Sequence, residues 1–215
     1  MKLGWYYPLV RLSARAMLLL TKVEVSGKKN MPQGVPLVIC ANHISSADPP
    51  ILGLHLPRYG VYFLAKKELF VNRTFGKILK ESGAIPLNRD GASGTSFKAS
   101  ARVIKKGGAL IIFPEGKRNP DGGLTAAMPG AGYLAAAFKT PVIPVAITGT
   151  ETITGKWWFL KRHRVKIVIG KPFNMTITES KPDKDALAAY GDQIMRAIAE
   201  LLPPKYRGIY GERQS

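Results

Sequence analysis

His43 and Asp48 stand five positions apart in Asn42-His43-Ile44-Ser45-Ser46-Ala47-Asp48. An imidazole held by a carboxylate is a recurrent proton acceptor near neutral pH, because the carboxylate fixes the tautomer and stabilises the imidazolium. The two can meet only in a loop: on a helix, five positions rotate by about 140° and would put them on different faces. Taken alone, the pair also fits a structural loop. Other side chains follow apolar runs in the same way: Lys66 after Val61–Ala65, Arg89 after Gly83–Leu87, and Glu115 and Arg118 after Ala109–Phe113. Two arginines and a lysine near a base suit a phosphorylated substrate, since the guanidinium fork binds phosphate bidentately. For Lys66 and Arg118 taken singly, solvated surface charge is the alternative. A carboxylate such as Glu115, directly after a fully apolar strand, orients a neighbour, either a cation or a backbone turn.

The elements that must position these groups are legible from apolar periodicity. Pro36–Cys40 reads as a buried strand, followed by the His43 loop and a helix over 49–56 that Asp48 caps and that opens on Pro49 and Pro50. Val61–Ala65 is the next strand, then a helical stretch from Lys66 to about Ser82. Gly83–Arg89 is a strand in which Pro86 demands an edge or a bulge. A helix over about Thr95–Lys106 leads to the unbroken apolar run Ala109–Phe113 and a polar, turn-rich loop. Small residues from Gly130 to Ala137 predict a closely packed helix. Pro141–Ile147 is a strand, and Arg164–Gly170 alternates as a half-exposed strand does. An amphipathic helix carrying Leu187, Ile194, Ile198, Leu201 and Leu202 ends at Pro203-Pro204. Val23–Gly27 adds a short strand near the start. Strands alternating with helices predict an α/β fold: a mixed, largely parallel sheet flanked by helices. In such a sheet the strand ends that bear His43, Lys66, Arg89 and Glu115 converge on one edge, where ligands collect.

The 215 residues suffice for one domain, with 32 Lys and Arg against 14 Asp and Glu, a formal net charge of +18. That field favours anionic partners: nucleic acid, acidic lipid headgroups or phosphorylated substrates. The single cysteine, Cys40, excludes an internal disulfide, and its apolar strand suggests a core thiol. The three histidines show no metal-ligand spacing with cysteines or carboxylates, so no metal is expected. Residues 1–22 are apolar with aromatics at one end, and Arg11, Arg15 and Lys22 form a narrow stripe. No run reaches the ~20 residues that span a bilayer. The segment suits a helix lying in a membrane interface, or one packed on the protein's own core. The expected organisation is an interfacial helix over 1–22, an α/β domain over 23–203 and a tail over 204–215. Trp157-Trp158-Phe159-Leu160, flanked by Lys156, Lys161, Arg162 and Arg164, reads either as a second interfacial anchor or as a hairpin covering the core.

Four stretches together resemble the bacterial 1-acyl-glycerol-3-phosphate acyltransferases and their glycerolipid relatives. Asn42, His43 and Asp48 match the family's N-H-x-x-x-x-D box. Gly83–Arg89 is similar to the G-x-I-F-I-D-R block, with Pro86 and Asn88 in place of Phe and Asp. Phe113–Asn119 matches F-P-E-G-T-R-S apart from Lys117 and Asn119. Val142-Ile143-Pro144-Val145 matches the apolar V-x-I-P-V strand. The resemblance runs from about Gly4 to Gly170. It implies transfer of an acyl group from a thioester, acyl-CoA or acyl-carrier protein, to the sn-2 hydroxyl of lysophosphatidic acid, giving phosphatidic acid. It casts His43 as general base and Asp48 as its orienting partner. Arg89 and Arg118 would hold the phosphate with Lys66 assisting, and Asn42, Glu115 and Gly116 would shape the site. No cofactor beyond the acyl donor is implied. The expected place of work is the cytoplasmic face of the cell membrane, as a peripheral or monotopic protein on an anionic surface. No nucleic acid is expected as a partner.

Two alternatives remain at this level. The altered second block leaves room for another acceptor, such as glycerol-3-phosphate or a different lysolipid. The net charge is also compatible with a non-enzymatic nucleic-acid binder, although no RNA- or DNA-binding signature appears and His43, Asp48 and Glu115 would then have no role. An acyl-serine route through Ser45 or Ser46 is conceivable, but capping the loop accounts for both hydroxyls.

Overall fold

The computed structural model describes residues 18–57, 60–87, 94–176 and 182–211, with Pro8, Leu12, Arg15 and Ala16 before them. The helix expected over 1–22 falls largely outside the described residues, and so does Arg89. Seven strands are described: β1 (Thr21–Ser26), β2 (Leu37–Ala41), β3 (Val61–Lys66), β4 (Ala84–Leu87), β5 (Ala109–Ile112), β6 (Val142–Thr148) and β7 (His163–Ile169). They form one sheet in the order β1-β7-β6-β2-β5-β3-β4. The five strands from β6 to β4 are mutually parallel, β7 is antiparallel to β6, and β1 runs parallel to β7. The sheet is therefore mixed and largely parallel, as the alternation of elements predicts.

The unbroken apolar runs became the central strands because both their faces are covered. Every residue of β2 and of β5 is buried. Alternate side chains go to opposite faces. Val38 and Cys40 join a core beneath α3 (Gly94–Lys105), α4 (Pro129–Phe138) and α5 (Lys184–Leu201). Leu37, Ile39 and Ala41 join another beneath α1 (Asp48–His55), which contributes Ile51, Leu52 and Leu54. The small residues of α4 serve close helix packing: a Cβ on Gly132 would lie 2.6 Å from the Leu187 carbonyl oxygen of α5. β4, with its exposed Pro86, is the edge strand that the proline requires.

The stretch from Lys66 to Ser82 is not one helix. A 3-10 turn over Lys67–Phe70 precedes α2 (Arg73–Glu81), and Asn72 between them caps α2 by accepting from the Phe75 N–H at 3.0 Å. Beyond Pro203, residues to Tyr210 fold into two 3-10 turns that dock on Leu124. The Leu124 N–H donates to the Tyr206 carbonyl and the Ile209 N–H donates to the Leu124 carbonyl. Tyr206 is buried there, so the segment from 204 to 210 belongs to the packed domain. Such short 3-10 pieces leave no periodic trace in a sequence.

Candidate active site

β2 delivers the His43 loop at the edge where β3, β4, β5 and β6 also end. Asn42, buried just after β2, clamps that strand end to β6. Its Nδ2 donates to the Ile147 carbonyl at 2.9 Å, and its Oδ1 accepts from the Ile147 N–H at 2.8 Å. His43 then leaves the strand held by its own backbone. Its N–H donates to Glu115 Oε1 at 3.0 Å, and its carbonyl accepts from the Asn119 N–H at 2.8 Å. The imidazole stacks on Phe113, ring centroids 4.1 Å apart, and its Nδ1 lies 2.8 Å from Asp48 Oδ2.

Asp48 does not cap α1. It occupies the first helical position, and its Oδ2 turns back to accept from the N–H groups of Ile44 at 2.7 Å and Ser45 at 2.8 Å, as well as meeting His43. Of the two residues a capping Asp48 would serve, Pro50 has no N–H and the N–H of Ile51 already donates to the Ala47 carbonyl at 3.1 Å. A carboxylate oxygen that already accepts two N–H groups can only accept from the imidazole too, so Nδ1 carries the hydrogen and the lone pair is left on Nε2. Nε2 has no hydrogen-bond partner among the described residues, and the His43 side chain keeps 16% of its surface exposed while Asp48 has none.

Glu115, 3% exposed, orients backbone turns rather than a cation. While Oε1 holds His43, Oε2 accepts from the N–H and the hydroxyl of Thr125 at 3.1 and 3.0 Å. Both oxygens act purely as acceptors. A Glu115→Gln substitution would set an amide NH₂ against one of those N–H groups, costing about 1–3 kcal/mol. The expected fall in Tm is roughly 3–10 °C, readable by thermal unfolding. Gly116 follows with φ +66°, and a Cβ there would meet Met128 Cγ at 2.6 Å, so the turn after Glu115 tolerates no side chain.

A cleft of about 500 Å³ adjoins the loop, lined by residues 44–47 together with Arg118, Ile153 and Trp158. Arg118 is thus brought to the His43 loop. Lys66 is not joined to it by any described contact: it ends β3, with β5 between it and β2, and its ammonium lies 3.8 Å from Glu68. Trp158 packs on the core and lines the cleft, whereas Trp157 and Leu160 are exposed, so the aromatic stretch covers the core only in part. Ser45 Oγ accepts from the Ala47 N–H at 3.3 Å, a loop-capping contact. Cys40 is a core thiol whose pKa is pushed up to about 12 by burial. Among the described residues no group of three or more His, Cys, Asp or Glu is placed to hold a metal ion, and no helix is long and apolar enough to cross a membrane.

Phe113, Asn119 and Thr125 were not singled out from the sequence as parts of this site. Phe113 could have been found, since it is the last apolar residue before Glu115. Thr125 and the Asn119 N–H carry no local signal, because their partners are set by how the loop after β5 folds back.

The fold is thus a mixed, largely parallel α/β sheet that brings a His–carboxylate pair and a buried glutamate to one strand edge, the edge where ligands collect in such folds. The fold is that of the 1-acyl-sn-glycerophosphate acyltransferase PlsC of Thermotoga maritima, whose crystal structure covers 91% of this chain and is itself covered to 79%, with a TM-score of 0.67 at 24% identity. The Acyltransferase family model matches residues 22–148. The 1-acyl-sn-glycerol-3-phosphate acyltransferase of Bacillus subtilis is 32% identical over 83% of this chain and 87% of its own length. That of Streptococcus pneumoniae is 31% identical over 68% of this chain, which spans about half (53%) of that relative. The chain belongs to the acyltransferase family, and it is an acyltransferase of phospholipid biosynthesis. The non-enzymatic nucleic-acid reading falls away.

Proposed function

We propose that the enzyme moves a fatty acyl group from a thioester to the sn-2 hydroxyl of 1-acyl-glycerol-3-phosphate, forming phosphatidic acid. The observation that carries this reading is the 2.8 Å His43–Asp48 pair, with Nε2 unpartnered among the described residues, in a chain whose relatives bear that acceptor in their names. His43 Nε2 takes the hydroxyl proton as the oxygen attacks the thioester carbonyl. A C–O bond forms, the C–S bond breaks, and the imidazolium returns the proton to the departing thiolate. Asp48 holds the ring and stabilises its charged form. No enzyme nucleophile is required, because a thioester is already activated. Arg118 and Arg89 hold the acceptor's phosphate with Lys66 assisting, while Asn42, Glu115 and Gly116 fix the loop. The donor is acyl-CoA or acyl-carrier protein, with no further cofactor. The work takes place at the cytoplasmic face of the cell membrane, with the protein peripheral or monotopic.

The test incubates purified protein with lysophosphatidic acid and each donor, following free thiol and phosphatidic acid, with glycerol-3-phosphate and another lysolipid as parallel acceptors. Phosphatidic acid formation is expected. Its absence with both donors, or a preference for another acceptor, overturns the reading. In the same assay Arg118→Ala should raise KM for the acceptor about 10–100-fold, the range expected for lost hydrogen bonds to a charged group.

A further inference from the structure

The segment between β3 and β4 carries apolar side chains that stay exposed among the described residues. Leu69, Val71, Phe75 and Ile78 are between 42% and 81% exposed. Only Gly76 of α2 is buried, pressed so close to Phe70 that a Cβ would lie 2.8 Å from its carbonyl oxygen. The helix therefore docks along a narrow line and leaves most of its circumference exposed to solvent. That circumference is sorted. Phe75, Ile78 and Leu79 share one side, while Arg73, Lys77 and Lys80, at the four- and three-residue steps of a helix face, share the other. A short helix with strong sidedness, low overall hydrophobicity and cations on its polar side is built to lie in a lipid interface.

Position supports the same occupant. β3 ends at Lys66 on the edge where β2 ends before His43, so the 3-10 turn and the start of α2 flank the candidate active site. The connection from β6 to β7 returns to that same edge and exposes Trp157 and Leu160 beside Lys156, Lys161 and Arg162. Exposed apolar groups with basic neighbours thus follow strands that end or begin at the same sheet edge, in a chain of net charge +18. We infer that the segment from Leu69 to Lys80 is a docking surface for an anionic bilayer, inserting Val71, Phe75 and Ile78 and setting Arg73, Lys77 and Lys80 against lipid phosphates. This builds on the lipid-acceptor reading above, since such a substrate resides in a bilayer, and the test separates the two.

In the full chain, Phe75→Cys places a reactive thiol on this surface while Cys40 is buried, so an environment-sensitive fluorophore labels position 75. Vesicles of phosphatidylglycerol and phosphatidylethanolamine should shift its emission to the blue, and spin-labelled acyl chains should quench it. Neutral phosphatidylcholine vesicles should do far less. Replacing Arg73, Lys77 and Lys80 by Gln should weaken the response by of the order of a hundredfold, about fivefold for each basic residue near an anionic surface. Emission unchanged by anionic vesicles overturns the inference. So does an equal response to neutral vesicles, a response to an acidic carrier protein in their place, or a blue-shifted signal before any vesicle is added, which would mean that another part of the chain covers the patch. Activity on a monodisperse short-chain lysophosphatidic acid should survive all these substitutions. An inactive wild type whose position 75 still responds to vesicles would sink the acceptor assignment and leave the docking surface standing.

Discussion

His43→Ala should lower acyl transfer by about 10²–10⁴-fold, the worth of a positioned general base, while the protein stays folded. The fold should survive because the side chain lies at the rim of the loop, partly exposed, and the loop's other restraints do not pass through the ring. The backbone of residue 43 remains held by Glu115 and Asn119, and Asp48 keeps its bonds to the Ile44 and Ser45 N–H groups. The loss should fall mainly on kcat, since the base acts in the transition state. The measurement is donor-dependent thiol release with lysophosphatidic acid, alongside thermal unfolding of the same preparation. Activity near wild type in a folded variant would remove His43 from the chemistry.

Asp48→Asn should cost at least two orders of magnitude in kcat with KM for the acceptor nearly unchanged. An amide oxygen can still accept from the backbone N–H groups of Ile44 and Ser45, so the loop keeps its shape. With the amide oxygen in the place of Oδ2 the Nδ1 hydrogen is still accepted, and the change deprives the imidazolium of its counter-charge. If the pair acts as a unit, the double variant with His43→Ala should be no slower than His43→Ala alone. Additive losses in that cycle would mean that Asp48 supports the loop and not the base. Asp48→Ala would be a poorer probe, because it leaves buried N–H donors without an acceptor and confuses stability with catalysis.

Several features of this site were open to a reader of the sequence. The apolar runs Leu37–Cys40 and Ala109–Ile112 announced buried strands, and a strand followed by Asn-His or by Pro-Glu announced polar groups at a sheet edge. Helical geometry said that His43 and Asp48 could meet only in a loop, and the structure shows that they do. The role of Asp48 toward α1 was not legible there. An aspartate before a helix reads as a cap, yet Pro50 has no N–H to offer and the Ile51 N–H is taken by the Ala47 carbonyl, and the carboxylate turned to the loop instead. Glu115 was legible as a group that orients something, but its partner was not: it grips the backbone of His43, 72 residues away.

The sequence by itself determined the strand and helix periodicities, the α/β class, the strong positive charge and that His43 and Asp48 could meet only in a loop, because each depends on neighbours within a few residues or on composition. Only the tertiary structure decided that β5 lies between β2 and β3, that Asn42 ties β2 to β6, that Thr125 anchors Glu115, and that Phe75 and Ile78 of α2 stay exposed. These depend on strand order and loop return. Side chains brought together across many tens of residues share no local period, and burial of a helix face depends on what happens to pack against it.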